Sequence, residues 1–261
     1  MKIAIIGTGS LGKALATHLF ASFEVQCFGR REELWGNRKT LELESNLNQL
    51  SQFDLIFLAA QDQQIEIIVH QINDFVSEKQ WIVHGSGTIS RDILLTIKSK
   101  TAVVHFLQTF FTETWRGENP FSGISGTMIG DVEILAFFKE LASKHKMTLL
   151  EVTEDQKKQI HIAAVFACNF QHAILDAANR VAGIQDPNAV EFLKPLIGKT
   201  MKVIQDHGVI NSLSGPVKRG DVKTIEMHKK RLESQPELQS LYSELADYLI
   251  LRLKELGEWK G

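Results

Sequence analysis

Two different spacings of apolar residues divide this chain of 261 residues. In the first half, short apolar and β-branched runs alternate with stretches of helical spacing, a pattern typical of parallel strands joined by helices. The runs predict strands at Lys2 to Ile6, Val25 to Phe28, Asp54 to Ala60, Trp81 to His84 and Ala102 to His105. We therefore predict an α/β domain with a mostly parallel, doubly wound sheet over residues 1–152.

The second half, residues 153–261, predicts helices alone. Thr153 and Gln156 form a capping-box pattern that opens a long helix reaching about Val181. Glycine, proline and capping residues predict the later boundaries: a break from Gly183 to Pro187, a helix start at Asp186 and Pro187, a cap at Asp221, and a last helix from Pro236 to about Leu256. An all-helical domain is thus predicted to follow the α/β domain.

The long predicted helix carries apolar residues on nearly every side. They include Ile160, Val165, Phe166, Phe170 and Ile174. A helix of this kind needs burial all round its axis. Because a helical domain of about 110 residues provides that burial with difficulty, we predict a homodimer that forms through this domain.

Composition narrows the classes of partner. The chain has 29 Lys and Arg against 31 Asp and Glu, so no strong overall field attracts nucleic acid or an anionic membrane. The opening MKIAIIGTGSLG lacks the pattern of a secretory signal, and no apolar run reaches about 18 residues. Cys27 and Cys168 lack the spacing of a disulfide framework or of a zinc site. We expect a cytoplasmic protein with no nucleic-acid partner, no membrane partner and no metal.

The glycine pattern GTGSLG lies directly between the first predicted strand and a helical pattern. Its first glycine permits a tight turn, its second lets the backbone approach a pyrophosphate, and its third permits close contact between helix and strand. Free NH groups at the start of the helix attract the anion. This context predicts a dinucleotide-binding loop made of Gly7, Thr8, Gly9, Ser10, Leu11 and Gly12.

Two arginines follow the second predicted strand, where a domain that binds NAD usually has Asp or Glu. The guanidinium groups of Arg30 and Arg31 match a 2'-phosphate but cannot accept a hydrogen bond from a ribose hydroxyl. This feature favours NADP(H) over NAD(H). The alternative is a solvated surface pair, and the neighbouring Glu32 and Glu33 keep that alternative open.

Polar or small residues also follow the later strands, at the sheet edge where open parallel sheets bind ligands. Ala60 and Gln61 after the third strand and Ser86 after the fourth are predicted cofactor-binding residues. His105 ends the fifth strand, and its imidazole suits acid or base chemistry near neutral pH. The alternative for His105, and also for His84, is a histidine that only forms a hydrogen bond with a loop.

The helical half offers further candidates. His161, Asn169 and His172 share one stripe of the long helix, where they line a ligand cleft or else satisfy one another. His161 and Asn169 are about 12 Å apart along the axis, so they cannot both touch one reacting atom. Arg219 has the chemistry to clamp an anionic substrate; the alternative is that it pairs with Asp221, which caps the next helix.

Five motifs in this order resemble one family. They are GTGSLG, HGSG at 84–87, HFLQTF at 105–110, HIAAVFACN at 161–169 and GPVKRGD at 215–221. Nearly the whole chain resembles the Rossmann-like proteins with a C-terminal domain of unknown function, number 2520, within the 6-phosphogluconate dehydrogenase superfamily. The resemblance implies an N-terminal Rossmann domain, an all-helical dimerising domain and a nicotinamide site between them, but no particular substrate.

Two positions depart from the pattern. The family usually has His-Pro where this chain has His105 and Phe106. The β-hydroxyacid dehydrogenases of the superfamily have a lysine four residues before an asparagine on the first C-terminal helix, and this chain has Val165 four residues before Asn169. Asn169 is therefore carried over as a cleft residue, whereas the proton donor is expected to be His105 or His161.

Together these features predict an NADP(H)-dependent oxidoreductase that moves hydride between the nicotinamide and a small carbonyl, imine or hydroxy acid. His105, Asn169 and His161 are the catalytic candidates, and Arg219 and His172 are the substrate-binding candidates. The missing lysine favours a rival function, a non-catalytic NADP(H)-binding sensor or scaffold. A third possibility is another hydride carrier, such as a deazaflavin coenzyme, in the same fold.

Overall fold

The computed structural model describes residues 1–111, 118–184 and 188–261. It divides into two compact units, Met1–Val165 and Phe166–Gly261. The sequence placed the domain boundary between residues 152 and 153. The structure groups residues up to Val165, which include the first turns of the long helix, with the first unit. In those turns the buried Lys157 is bonded to a loop of the sheet.

The first unit is built on one sheet, which has nine strands within the described residues. The strands are β1 (Lys2–Ile6), β2 (Glu24–Gly29), β3 (Glu33–Trp35), β4 (Arg38–Glu42), β5 (Leu55–Leu58), β6 (Trp81–His84), β7 (Lys100–Leu107), β8 (Ser125–Gly130) and β9 (Thr148–Glu151). Their order is β3-β4-β2-β1-β5-β6-β7-β8-β9. The β3–β4 and β7–β8 pairs are antiparallel and the other pairs are parallel. The predicted mostly parallel Rossmann sheet is confirmed.

Helices cover both faces of this sheet. They are α1 (Ser10–Ala14), which continues as a π-helical turn at Leu15–Leu19, α2 (Asp62–Ile72), α3 (Val132–His145) and α4 (Glu154–Ala164). Short 3-10 helical segments lie at Glu44–Gln52, Asn73–Phe75 and Arg91–Thr96. One apolar core packs α1 and α3 against one face through Phe20, Phe57 and Phe138. The other core packs α2 against the opposite face, so the unit has three layers.

The second unit is helical, as predicted. A π-helical turn at Val165–Asn169 joins α4 to α5 (Phe170–Ala182), and α6 (Ala189–His207), α7 (Pro216–Arg219), α8 (Val222–Arg231) and α9 (Pro236–Glu255) follow. A small core contains Val217, Ile225, Ala246 and Leu253.

Most of the predicted helix boundaries are confirmed. The capping box of Thr153 and Gln156 is present at the start of α4. Asp221 accepts a hydrogen bond from the backbone NH of Thr224 and caps α8, and α9 begins at Pro236. The predicted start at Asp186 and Pro187 lies outside the described residues, and Asn188 caps α6.

The helices around the π-helical turn expose large apolar side chains. Phe166 and Phe192 are each 64% exposed, and Phe170 and Leu196 are also exposed. The helical run Glu154–Ala182 is, among the described residues, the one helix long and apolar enough to span a membrane by length and composition. One such helix is weak evidence for a membrane protein, because the core helix of a soluble protein passes the same test. The predicted burial on every side is therefore not achieved by the described part of this chain.

Candidate functional site

The glycine loop lies at the carboxyl end of β1, in the middle of the sheet. Gly7 has φ 110°, and a Cβ atom there would lie 2.5 Å from the carbonyl oxygen of Ala59. At Gly12 a Cβ atom would lie 1.9 Å from the carbonyl oxygen of Gly7, whereas a Cβ atom at Gly9 would meet nothing within 4 Å. The fold thus requires glycine at positions 7 and 12, and it leaves open space beside Gly9.

That open space is a cavity of about 700 Å³, which we call the nucleotide pocket. It is lined by Ile6, Gly7, Thr8, Gly9, Gly29, Arg30, Leu43, Glu44, Ala59, Ala60, Gln61, Gln64, Ile67, Ile68 and Gln71. Cavities of this size are typical of cofactor sites. Six predicted cofactor-binding residues therefore meet here: Gly7, Thr8, Gly9, Arg30, Ala60 and Gln61.

The backbone NH groups of the helix that begins beside the nucleotide pocket can bind an anion. Ser10, Leu11 and Gly12 form the first turn of the helical run Ser10–Leu19. The first NH groups of a helix have no partner within that helix, and they carry the positive end of its dipole. The donors and the space therefore fit the pyrophosphate of a dinucleotide.

A second cavity, of about 490 Å³, is lined by Thr8, Arg30, Arg31 and Glu33. Both arginine side chains are exposed there. Each of the two neighbouring glutamates forms an ion pair: Glu32 with Lys39 at 2.9 Å and Glu33 with Lys13 at 3.7 Å. The negative charges of Glu32 and Glu33 are thus compensated by Lys39 on β4 and Lys13 on α1.

The loop that follows β6 is held by hydrogen bonds within itself. The Ser86 hydroxyl accepts from the backbone NH groups of Thr88 and Ile89, at 3.1 and 3.0 Å. The imidazole of His84 accepts at Nδ1 from the NH of Ser86, and its Nε2 lies 3.4 Å from the carbonyl oxygen of Ser90. Ser86 does not line either of the two cavities, so its contact with a cofactor stays a prediction.

Two of the predicted catalytic residues lie side by side. The ring centroids of His105 and His161 are 5.5 Å apart. The buried Nδ1 atoms of both rings lack a hydrogen-bond partner among the described residues. Gly87 lies against both rings, because a Cβ atom there would be 2.4 Å from Nδ1 of His161 and 2.7 Å from Cε1 of His105.

The sequence analysis missed a buried lysine beside this pair. Lys157 on α4 is 1% exposed, and its ammonium donates a hydrogen bond to the carbonyl oxygen of Ile89. It forms an ion pair with Glu154 at 3.4 Å, and Glu154 accepts a hydrogen bond from the NH of Arg91 at 2.8 Å. The available signal was its spacing, since Lys157 precedes His161 by one helical turn on the same face. We call His84, His105, Glu154, Lys157 and His161 the buried polar cluster.

Burial and charge change the titration of the buried polar cluster. Burial, followed by the charge of Lys157, lowers the pKa of His84 from 6.5 to about 4. Burial, followed by His161 and then Lys157, lowers the pKa of His105 from 6.5 to about 4. Burial also lowers the pKa of Lys157, against the attraction of Glu154. The imidazoles of His84 and His105 are therefore uncharged at neutral pH.

The remaining candidates belong to the second unit. Asn169 ends the π-helical turn, and Asn169 and His172 are both exposed. Arg219 is exposed in α7 and forms no ion pair with any residue in the described ranges, while Asp221 caps α8. The site roles of Asn169, His172 and Arg219 stay predictions. Within residues 1–111, 118–184 and 188–261, no group of three or more His, Cys, Asp or Glu is placed to hold a metal ion.

Comparison with protein families confirms the resemblance. Residues 126–249 match the model of the family described as "Domain of unknown function (DUF2520)". This segment follows the Rossmann-like strands and glycine loop described above. No curated protein matches the sequence.

Solved structures share the fold over almost the whole chain. A protein from Bacteroides fragilis, provisionally described as an NADP oxidoreductase, has 23% identity and a TM-score of 0.77, covering 95% of this chain and 97% of its own. A Thermotoga maritima protein has 21% identity and a TM-score of 0.70, covering 98% and 99%. Plasmodium falciparum pyrroline carboxylate reductase with NADP bound has 12% identity and a TM-score of 0.60, covering 96% and 98%.

Proposed function

Because residues 126–249 match that family model and follow a glycine loop and parallel strands, we propose that this protein is an NADP(H)-dependent oxidoreductase acting on a small carbonyl, imine or hydroxy acid. The nucleotide pocket is the observation that carries the proposal, since it joins the glycine loop to Arg30 at the carboxyl end of the sheet. The names of similar structures support it, because two of them are described as NADP oxidoreductases or bind NADP.

The charges beside the nucleotide pocket support NADP(H) over NAD(H). Arg30 and Arg31 are exposed at the second cavity, while Glu32 and Glu33 are paired with lysines. Guanidinium groups bind phosphate oxygens in a bidentate manner. Paired carboxylates neither repel that phosphate strongly nor compete for the arginines.

The bound nicotinamide would supply the hydride, so this chain needs to supply position and a proton path. His105 is uncharged at neutral pH, and its imidazole can therefore accept a proton from a hydroxy acid during oxidation. In the opposite direction the imidazole takes a proton from solvent and gives it to the oxygen of the carbonyl as the hydride reaches the carbon. The proposal keeps His161 and Asn169 as catalytic candidates and Arg219 and His172 as anchors for an anionic substrate.

A sensor or scaffold that binds NADP(H) without reacting is the second candidate. The apolar side chain at Val165 favours it, because no lysine is present at that position. The two functions differ in their effect on deuterium-labelled NADPH. A catalyst transfers the label to a carbonyl or imine compound, whereas a sensor leaves it on the nucleotide through the whole panel.

We also propose that a second copy of this chain covers the apolar side chains exposed on α5 and α6. Phe170 and Leu196 are exposed there, and an exposed apolar surface of this kind usually marks an interface. Sedimentation velocity at micromolar concentration should give a dimer, and a clean monomer would contradict the proposal. Alkylation of the exposed Cys168 should slow as the dimer forms.

The predicted cytoplasmic location is kept and is checked by cell fractionation.

The first experiment on the proposed function is calorimetric titration with NADPH and, separately, with NADH. We expect tight binding of NADPH and weak binding of NADH. Equal affinity would contradict the 2'-phosphate assignment. No binding of either nucleotide would contradict the nicotinamide proposal and would direct the same titration to a deazaflavin coenzyme.

A further inference from the structure

A buried ammonium group connects α4 to the loop that follows β6. Lys157 donates a hydrogen bond to the carbonyl oxygen of Ile89, which lies 68 residues earlier in the chain. The 3-10 segment that follows this loop is also joined to α4, because Glu154 accepts a hydrogen bond from the NH of Arg91. A charged side chain that is 1% exposed is costly to bury, so its contacts must stabilise this arrangement.

The loop that these bonds hold contains Gly87, which lies against both imidazole rings. Gly87 lies within van der Waals distance of both His105 and His161, and even one added methyl group would overlap both rings. A shift of the loop would therefore change the space beside both rings. Lys157 lies one helical turn before His161, so a single helix presents both the ammonium and one ring of the pair.

The charges around His105 come from three sides. The titratable groups near His105 are His161 and Lys157 on α4, Asp62 on α2 and His84 on the adjacent strand β6. Of these groups, Asp62 favours a charged imidazole and Lys157 opposes it. Asp62 also accepts a hydrogen bond from the hydroxyl of Thr88, in the same loop.

We propose that Lys157 is the positioning residue of the imidazole pair: its buried ammonium holds the loop of residues 85–90 against α4, where Gly87 meets both rings. A positive charge fixed at this place also disfavours a second positive charge on His105. The catalytic consequence rests on the proposed function, but the charge effect does not. The neutral imidazole of His105 can accept a proton from a substrate, whereas a charged ring cannot.

The test compares the variants Lys157→Met and Lys157→Gln with the unaltered protein. Histidine is labelled with 15N, and the ring signals of His84 and His105 are followed from pH 3.5 to pH 8 by two-bond 1H–15N correlation spectra. Both neutral variants should raise the pKa of these two histidines by about 1, since the charge that opposes protonation is gone. Lys157→Arg keeps the charge and should leave the titration low.

Lys158→Met is the matched control, because Lys158 is the next residue of the same helix and is exposed. It should leave both titrations unchanged. Unchanged titration of His105 in the two neutral variants would overturn the proposal, as would an equal rise in Lys157→Arg. If neither neutral variant folds, Lys157→Arg decides alone, since a raised pKa there would show that the charge is not the cause.

Calorimetric titration with NADPH separates this proposal from the proposed function. The nucleotide pocket contains none of the residues of the buried polar cluster, so Lys157→Met should bind NADPH within about twofold of the unaltered protein. A protein that binds no nucleotide but shows the histidine shift would contradict the proposed function alone. A protein that binds NADPH without the shift would contradict the role of Lys157 alone.

Discussion

The nucleotide pocket and the buried polar cluster lie at the same edge of one sheet but differ in how they use charge. The pocket follows β1, β2 and β5, and it offers backbone NH groups and the exposed cation of Arg30. The cluster lies at the carboxyl ends of β6 and β7 and on α4, and it holds His84 and the ammonium of Lys157 away from water. The pocket can hold an anion because of where its donors lie, whereas burial in the cluster lowers the pKa of His84 and His105. A strand end can thus serve binding or proton chemistry, depending on burial.

The largest effect is expected from Gly9→Val, which fills the nucleotide pocket without touching the cluster. The new side chain has nothing within 4 Å at its Cβ atom, so it should enter the space where a pyrophosphate fits. NADPH affinity should fall by about 100-fold, or roughly 3 kcal/mol, while the melting temperature stays nearly constant.

Gly198→Ala is the control for Gly9→Val, since a Cβ atom at that helical position in the second unit also meets nothing within 4 Å. It should leave NADPH affinity unchanged. If Gly9→Val retained full affinity in calorimetry, the nucleotide pocket would not be the binding site.

The buried polar cluster should respond to acid instead. His84 has a folded pKa of about 4 against 6.5 for the free group, so its contribution to stability is fully present above pH 6.5 and is lost as the pH falls toward 4. The loss from this residue should approach roughly 3 kcal/mol in the free energy of unfolding. Urea unfolding between pH 7 and pH 4 measures it.

The variant His84→Asn isolates that residue, because it removes the titrating ring. The pH dependence of unfolding should become shallower in this variant. His70→Gln alters an exposed histidine on α2 and serves as the comparison. An equally steep acid profile in all three proteins would show that His84 does not titrate in this range.

A smaller effect is expected from Arg30→Ala combined with Arg31→Ala. Loss of charged hydrogen bonds to a 2'-phosphate should weaken NADPH binding by about 10- to 30-fold, or roughly 1.5 to 2 kcal/mol, and NADH binding by less than about twofold. The comparison is made by parallel titrations with the two nucleotides. Equal losses would leave the arginines as a solvated surface pair.

The sequence predicted features that depend on local chemistry. The glycine loop, the capping box at Thr153 and the cap at Asp221 each follow from a few adjacent residues, and the structure contains all three. The five predicted strands are present, and four of them have apolar runs that are buried along most of their length.

Features that join distant segments were missed. The β3–β4 hairpin is polar, β9 has four residues, and β8 contains Gly126 and Gly130, so these strands lack a clear apolar pattern. Lys157 was not among the candidate residues, because its partner at Ile89 lies in another segment. Periodicity indicates which face of an element is buried, but a buried charge depends on what packs against it.

The ion pairs around the β3–β4 hairpin connect coenzyme choice to the electrolyte. Glu32 and Lys39 are more than half exposed in their pair, and salt weakens ion pairs that face solvent. As salt weakens the pair, more of the carboxylate charge acts on a nearby ribose, while the attraction of the arginines for a phosphate also declines. If the proposed function holds, we expect added salt to weaken the binding of NADPH more than that of NADH. The proposed selectivity would then depend on the medium as well as on the sequence.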